Sequence, residues 1–245
     1  MVVLLWSLLD KSHRVEGRPR LANHLRFSFL NQLFMQNLEY LFKKSSLNLQ
    51  KNMRILETIQ IQNGEILQIS YHQARMNAAR KQLWQCDNVI DLASTLVVPA
   101  EHQNGIVRCR VVYQQEIEEI QFIPYQWKNI RSIKVVEAPP IDYAIKWLER
   151  DAFTQLLQEN PEADELIITQ NGWVSDATIA NLAFWDGKQW FTPNTPLLKG
   201  TKRQYLLDTH QIKEKAIRIE DLKHFEKVCL INTFRDLSHE VAISL

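Results

Sequence analysis

Residues 54–84 read RILETIQIQNGEILQISYHQARMNAARKQLW, and two hydrophobic periods follow one another within that stretch. Apolar and polar residues alternate on both sides of Asn63-Gly64, which predicts two antiparallel strands joined at that dipeptide. Asn-Gly is the pair that best accepts the positive φ angles of a tight hairpin turn. From Tyr71 the spacing changes, and YHQARMNAARKQLW predicts a helix with His72, Arg75 and Ala79 on one face. Strand, turn, strand, helix is the opening of a mixed α+β fold.

Working towards the C-terminus, the segment 106–125 (IVRCRVVYQQEIEEIQFIPY) predicts a second strand pair. SIKVVEA (132–138) is a further strand, stopped by Pro139-Pro140. The segment 141–160 (IDYAIKWLERDAFTQLLQEN) is expected to form one amphipathic helix ended by Pro161. Three or four short strands are expected over 165–193, with turns at Asn171-Gly172 and Asp186-Gly187. A short helix follows Gly200, and the chain finishes in strands. This is an α+β chain in two lobes: a small one over 53–125 and a larger one over 126–245, with the break near Pro124–Trp127.

Residues 1–52 do not share this pattern. They are basic, carry bulky apolar residues and end in the polar run KKSSLNLQKN. A helix over Ala22–Phe42 is expected there, as part of an extension upstream of Met53 and not as a nucleic-acid-binding arm.

The formal charge of +1 over 245 residues gives no electrostatic pull towards nucleic acid or an anionic membrane. Six glycines form neither G-x-G-x-x-G nor G-x-x-x-x-G-K-[ST], so those two phosphate cradles are excluded. Cys86, Cys109 and Cys229 are odd in number and widely spaced, which fits free thiols in a reducing compartment, the cytoplasm, with no metal expected. No apolar run reaches the roughly 20 residues of a membrane span.

Taken one at a time, the polar residues have ordinary readings. Lys146 would lie on the solvated face of its helix, Arg75 on the surface, and Asp176 at a strand edge. Gly200-Thr201 ahead of a helix offers free N–H groups to an anion. Arg108 and Arg110 share one strand face, where they could bind a carboxylate or simply meet solvent. Thr58 could assist proton transfer or serve only as a β-branched strand residue.

The order of five blocks adds to this. LETIQIQNGEILQISYHQARM, IKWLER, VSDATIANLAFWDG, TPNTPLLKGTKRQYLL and LINTFRDL together resemble the class IV aminotransferases and the related aminodeoxychorismate lyases, from Leu56 to about Val241. The resemblance implies a fold-type IV enzyme using pyridoxal 5′-phosphate, with Lys146 as the Schiff-base lysine and later the general base. It implies Arg75 as the side chain on the cofactor phosphate, and Asp176 as the carboxylate facing the pyridine nitrogen. Gly200, Thr201 and Lys202 would hold the phosphate through backbone N–H groups, with Asn232 and Thr233 approaching the same site. Aspartate stands where the family usually has glutamate, and of the family's G-D-G-x-F-E-T motif only Leu56-Glu57-Thr58 remains.

The lysine–arginine pair Lys146/Arg150 is more similar to the lyases, which release pyruvate from 4-amino-4-deoxychorismate and leave 4-aminobenzoate, a step of folate biosynthesis. Alternatives are a D-amino-acid or branched-chain aminotransferase, or a cofactor-binding relative without turnover. The resemblance also implies a homodimer. Trp84, Trp127, Trp147, Trp173, Trp185 and Trp190 are many large aromatics for a chain of this size, and tryptophan is enriched at interfaces.

Overall fold

The computed structural model describes residues 53–245; the helix expected over Ala22–Phe42 lies outside the described residues. The first hairpin forms around Asn63-Gly64, but its second strand is shorter than the alternation predicts, because Ile69 and Ser70 already join the helix. Strand β1 (Ile55–Gln62) turns through Asn63 (φ 50°) and Gly64 (φ 82°) into β2 (Glu65–Ile66). Helix α1 (Ile69–Trp84) follows. After the short α2 (Leu92–Thr95), β3 (Ile106–Tyr113) and β4 (Ile117–Pro124) complete a four-stranded antiparallel sheet of order β2-β1-β3-β4.

The two faces of this sheet divide by residue parity. Ile55, Ile59 and Ile61 of β1 and Val107, Cys109 and Val111 of β3 are buried, and they share one core cluster with Met76 and Ala79 of α1. The opposite face carries Leu56 and Thr58 beside Arg108 and Arg110, with Thr58 directly across from Arg110. That second face lines the site described below.

The remaining strands follow β5 (Ile133–Glu137). It pairs in parallel with β6 (Glu165–Gln170), which turns through Asn171-Gly172 into β7 (Trp173–Ala177). A five-stranded sheet of order β10-β9-β8-β11-β12 contains β8 (Asn181–Trp185), β9 (Trp190–Pro193), β10 (Ile212–Lys215), β11 (Lys227–Ile231) and β12 (Ile243–Ser244). Helices α3 (Asp151–Glu159) and α4 (Thr201–Asp208) interrupt the strands. The fold is α+β, with mixed sheets and interspersed helices. Arg54–Leu245 form one compact unit; the strands of the first sheet all precede Tyr125 and those of the other two follow Ser132.

One expectation is corrected. The helix anticipated over 141–160 begins only at Asp151, so Lys146 is not on a helix. The cause is the edge of β1. Strand β2 covers only Ile61 and Gln62, which leaves the first half of β1 without a strand on that side among the described residues. Residues 146–148 supply the missing partners: the Leu56 N–H donates to the Lys146 carbonyl (3.0 Å), and the Leu148 N–H donates to the Arg54 carbonyl (2.9 Å). Pairing an otherwise open edge satisfies backbone groups that a helix at 141–150 would have left bare. The amphipathic pattern is real for Asp151–Glu159, where Phe153 and Leu156 are buried.

The cysteines are free, with Cys109 and Cys229 buried and Cys86 half-buried. No helix among the described residues is long and apolar enough to cross a membrane.

The hairpin turn makes a direct prediction. A Cβ on Gly64 would lie 2.1 Å from Gln103 Oε1, in a left-handed backbone conformation that L-residues resist. Gly64→Ala is expected to cost about 1–2 kcal/mol. Urea denaturation measures it, and an unchanged midpoint would refute the strain.

Candidate active site

A cavity of about 370 Å³ collects every residue singled out in the sequence: Thr58, Arg75, Arg108, Arg110, Lys146, Asp176, Gly200, Thr201, Lys202, Asn232 and Thr233. They arrive from β1, α1, β3, the 141–150 segment, β7, the start of α4 and the end of β11. Apart from Arg108/Arg110, Gly200–Lys202 and Asn232/Thr233, none of these residues are neighbours in sequence, so only the tertiary fold assembles them.

Lys146 enters from its irregular segment, with its backbone fixed to β1 and its neighbours Ile145 and Trp147 packed in or against the first core. Burial, followed by the nearby Arg75 and Arg150 charges, pushes the Lys146 amine down to about 7, with Glu57 opposing. A large fraction is therefore neutral and nucleophilic near neutral pH.

Asp176, at the end of β7, is buried. Its Oδ1 accepts from Asn181 Nδ2 (2.7 Å) and its Oδ2 from the Leu198 N–H (3.0 Å). Burial raises the carboxyl to about 7 even though these hydrogen bonds pull the other way. A cation brought against it would return it to the carboxylate form.

Gly200 caps α4 in an extended conformation with no side-chain hydrogen bond to the helix. An added Cβ would sit 2.0 Å from Asn181 Oδ1, so the backbone approaches here as only glycine allows. The first N–H groups of α4 have no intrahelical acceptor, and its first turn holds no acid. This end of the cavity is suited to an anion.

Arg75 reaches the same region from α1. Its Nε and Nη2 donate to Glu57 Oε1 (2.8 Å) and Oε2 (2.6 Å). Glu57 Oε2 also accepts from His72 Nδ1 (2.6 Å). Burial alone would raise the Glu57 carboxyl, but Arg75 and His72 hold it down at about 2. Burial in turn lowers His72, which stays neutral. Glu57 is the functional candidate that the sequence reading passed over. The signal was present, since Glu57 falls on the buried face in register with Ile55, Ile59 and Ile61, where an acid must have a partner. Asn181, the asparagine five residues after Asp176 in the quoted block, was given no role of its own, and the structure shows it bonded to Asp176 and the Leu198 carbonyl.

The other positions are more varied. Arg110 Nη1 donates to Gln121 Oε1 (3.0 Å), whereas Arg108 Nε is buried with no hydrogen-bond partner among the described residues. Lys202, considered in sequence for its backbone N–H, turns its side chain to Asp236 (2.5 Å). Asn232 bonds the Ile179 carbonyl (3.0 Å) and the Phe234 N–H (2.9 Å). Tyr125 stacks on Phe234 with centroids 4.0 Å apart, and both rings line the cavity.

Comparison with known proteins shows the family. The family model for amino-transferase class IV matches residues 54–239. An uncharacterised protein of Haemophilus influenzae is 36% identical over 185 residues, covering 75% of this chain and 98% of its own length. A Schizosaccharomyces pombe protein named "Putative aminodeoxychorismate lyase" is 28% identical, covering 74% of this chain and 86% of its own. Among solved structures, a Haemophilus somnus protein named as a "putative 4-amino-4-deoxychorismate lyase" superposes with a TM-score of 0.70 at 36% identity, covering 76% of this chain and 98% of its own. A Mycobacterium tuberculosis hypothetical aminotransferase in its PLP-bound form shares the fold, with a TM-score of 0.63 at 16% identity over 78% of this chain and 80% of its own.

The buried amine has a thermodynamic signature. Between about 7 and the ordinary value of 10.5, the unfolded chain holds the Lys146 proton more tightly than the folded one. The penalty is therefore complete below about pH 7 and fades as pH rises, by up to about 1.4 kcal/mol per unit. Lys146→Met is expected to stabilise the ligand-free protein at about pH 6.5 and to lose that gain towards about pH 10. Asp176 titrates in both proteins and cancels in the difference. A gain that does not vary with pH, measured by urea denaturation, would show that Lys146 is not desolvated.

Proposed function

The chain belongs to the class IV aminotransferase family, whose members use pyridoxal phosphate, and from that premise we propose that it is a lyase converting 4-amino-4-deoxychorismate to 4-aminobenzoate and pyruvate. The observation that carries the proposal is the set of guanidinium groups that share one cavity with Lys146: Arg108 and Arg110 from one strand face, Arg110 also paired with Glu119 (3.6 Å), and Arg150. Such a set suits a substrate with more than one carboxylate. Relatives named as putative aminodeoxychorismate lyases support the same choice.

The residues present fit the cofactor. The N-terminus of α4 and Arg75 suit its phosphate, Asp176 suits a protonated ring nitrogen, and the depressed Lys146 amine suits its aldehyde. A volume of about 370 Å³ lies within the range of small-molecule sites. Asn232 and Thr233 border the same space.

When bound, pyridoxal phosphate supplies an electron sink for the carbon that bears the substrate nitrogen. Lys146 Nζ takes the proton from that carbon, as its neutral fraction near pH 7 allows. Thr58, on the same sheet face as the arginines, stands by for the proton transfer. Arg108 and Arg110 hold the carboxylates, and the Arg108 Nε that lacks a partner gains one. The ether C–O bond then breaks, and the leaving enolpyruvate is protonated to pyruvate. Aromatisation of the ring drives the step, and atoms balance without a co-reactant.

An aminotransferase would use the same Lys146, Arg75 and Asp176, and a Mesorhizobium loti structure named as a "Putative amino-acid aminotransferase" shares the fold, with a TM-score of 0.65 at 22% identity over 79% of this chain and 98% of its own. The two activities separate by co-substrate. Incubation with 4-amino-4-deoxychorismate and no added keto acid is expected to release pyruvate and 4-aminobenzoate in equal amounts. Arg108→Ala is expected to lower kcat/KM by about tenfold to a hundredfold. Product formation only when a keto acid is supplied would overturn the lyase reading.

We also propose a cytoplasmic homodimer, in keeping with the free cysteines and with Trp127, which is 53% exposed beside the cavity-lining Tyr125. Light scattering at micromolar concentration is expected to give twice the chain mass; a monomer that still turns over would refute it.

A further inference from the structure

Glu57 occupies a position on β1 that its neighbours would fill with isoleucine. It is fully buried, and so is His72. A strand and a helix can be joined there by apolar packing with no desolvation cost, so a carboxylate in this position calls for a reason beyond packing. Its contacts supply one. The bidentate bond to Arg75 fixes the guanidinium plane. A carboxylate only accepts, so His72 Nδ1 carries the ring proton and Nε2 is left as the acceptor. That Nε2 lies 3.5 Å from the hydroxyl of Thr201, the first residue of α4. The polar chain thus runs from Arg75 through Glu57 and His72 to Thr201. Both of its ends line the cavity beside Lys146.

We infer that Glu57 is a positioning residue for anion binding: it fixes the Arg75 guanidinium and, through His72, the Thr201 hydroxyl as one preorganised surface for a phosphate monoester. Glu57 touches no ligand itself. The inference rests on the reading above, in which Arg75 and the start of α4 hold the cofactor phosphate. Its physical content is an entropy saving. An arginine free to sample its rotamers must be ordered when the anion arrives, whereas one already clamped is not.

The test compares two ligands that differ only in the anion. Pyridoxal phosphate and pyridoxal both react with Lys146, but pyridoxal lacks the phosphate. Dissociation constants for each are measured by visible absorbance on the full chain, wild type and Glu57→Gln, with inorganic phosphate as competitor. The variant keeps the shape of Glu57 but turns one oxygen into a donor that cannot pair with Arg75. Its affinity for pyridoxal phosphate is expected to fall by about tenfold or more, while pyridoxal binds as before and inorganic phosphate competes less well. Glu57→Asp, which keeps the charge but withdraws it by one methylene, gives the same readout if the first variant does not fold. A preference for pyridoxal phosphate over pyridoxal that is unchanged in the variant, whether both affinities hold or both fall, would overturn the inference and leave the phosphate site standing. A wild type that binds the two ligands equally would overturn the phosphate site and the inference together.

Discussion

A carboxylate with no access to water must find its partners within the fold, and Glu57 finds two on α1, the charged Arg75 and the neutral His72. His72 and Arg75 are one helical turn apart, which brings both to the same carboxyl group. Helix α1 buries only two apolar side chains, Met76 and Ala79, against two polar ones, His72 and Arg80. Arg80 is anchored in its own way, to the Gln115 and Asn88 carbonyls. The helix is therefore seated on the sheet by polar contacts of fixed geometry as much as by apolar packing. Leaving one partner of such a buried pair alone would cost about 3–5 kcal/mol. That stiffness is what places Arg75 at the cavity.

The lysine is positioned by a different constraint. Among the described residues, strand β2 leaves half of one edge of β1 open, and backbone hydrogen bonds left bare there have to be closed. The segment 146–148 closes them, and in doing so it gives up the helix that its side-chain pattern suggests. Lys146 is thereby tied to the same strand that carries Glu57. Lys146 and Arg75 are thus both tied to one strand, Arg75 through Glu57, a better guarantee of relative placement than a loop would give.

Across the cavity, Asn181 joins two features. Its amide nitrogen donates to Asp176 and to the Leu198 carbonyl, and its oxygen lies where a Cβ on Gly200 would intrude. The acid, the loop before α4 and the start of that helix are thus packed through one side chain. The Asp176 side chain, a methylene shorter than the family's usual glutamate, is held by this packing at the end of β7. With Asp176 and Lys146 both displaced to about 7, small changes in what faces them shift their protonation, a property suited to acid–base chemistry.

Local order was legible in the sequence wherever one residue's conformational preference decides it. Asn63-Gly64 and Asn171-Gly172 specify their turns because few other pairs tolerate two successive positive φ angles. The alternation of β1 and β3 told which side chains face the core, and the ordered blocks around Arg75, Lys146, Asp176 and Gly200 pointed to the family before any coordinates did. The helix read over 141–160 failed in its first half because periodicity reports a side-chain pattern and is blind to an unpaired strand edge elsewhere in the chain. Glu57 went unassigned for a related reason: the meaning of a buried acid lies in its partners, and those stand 15 and 18 residues away on another element. The chain determines its own turns and faces; the partners of a buried charge and of an open backbone edge are decided only when distant segments meet, because both are debts of desolvation that local structure cannot settle.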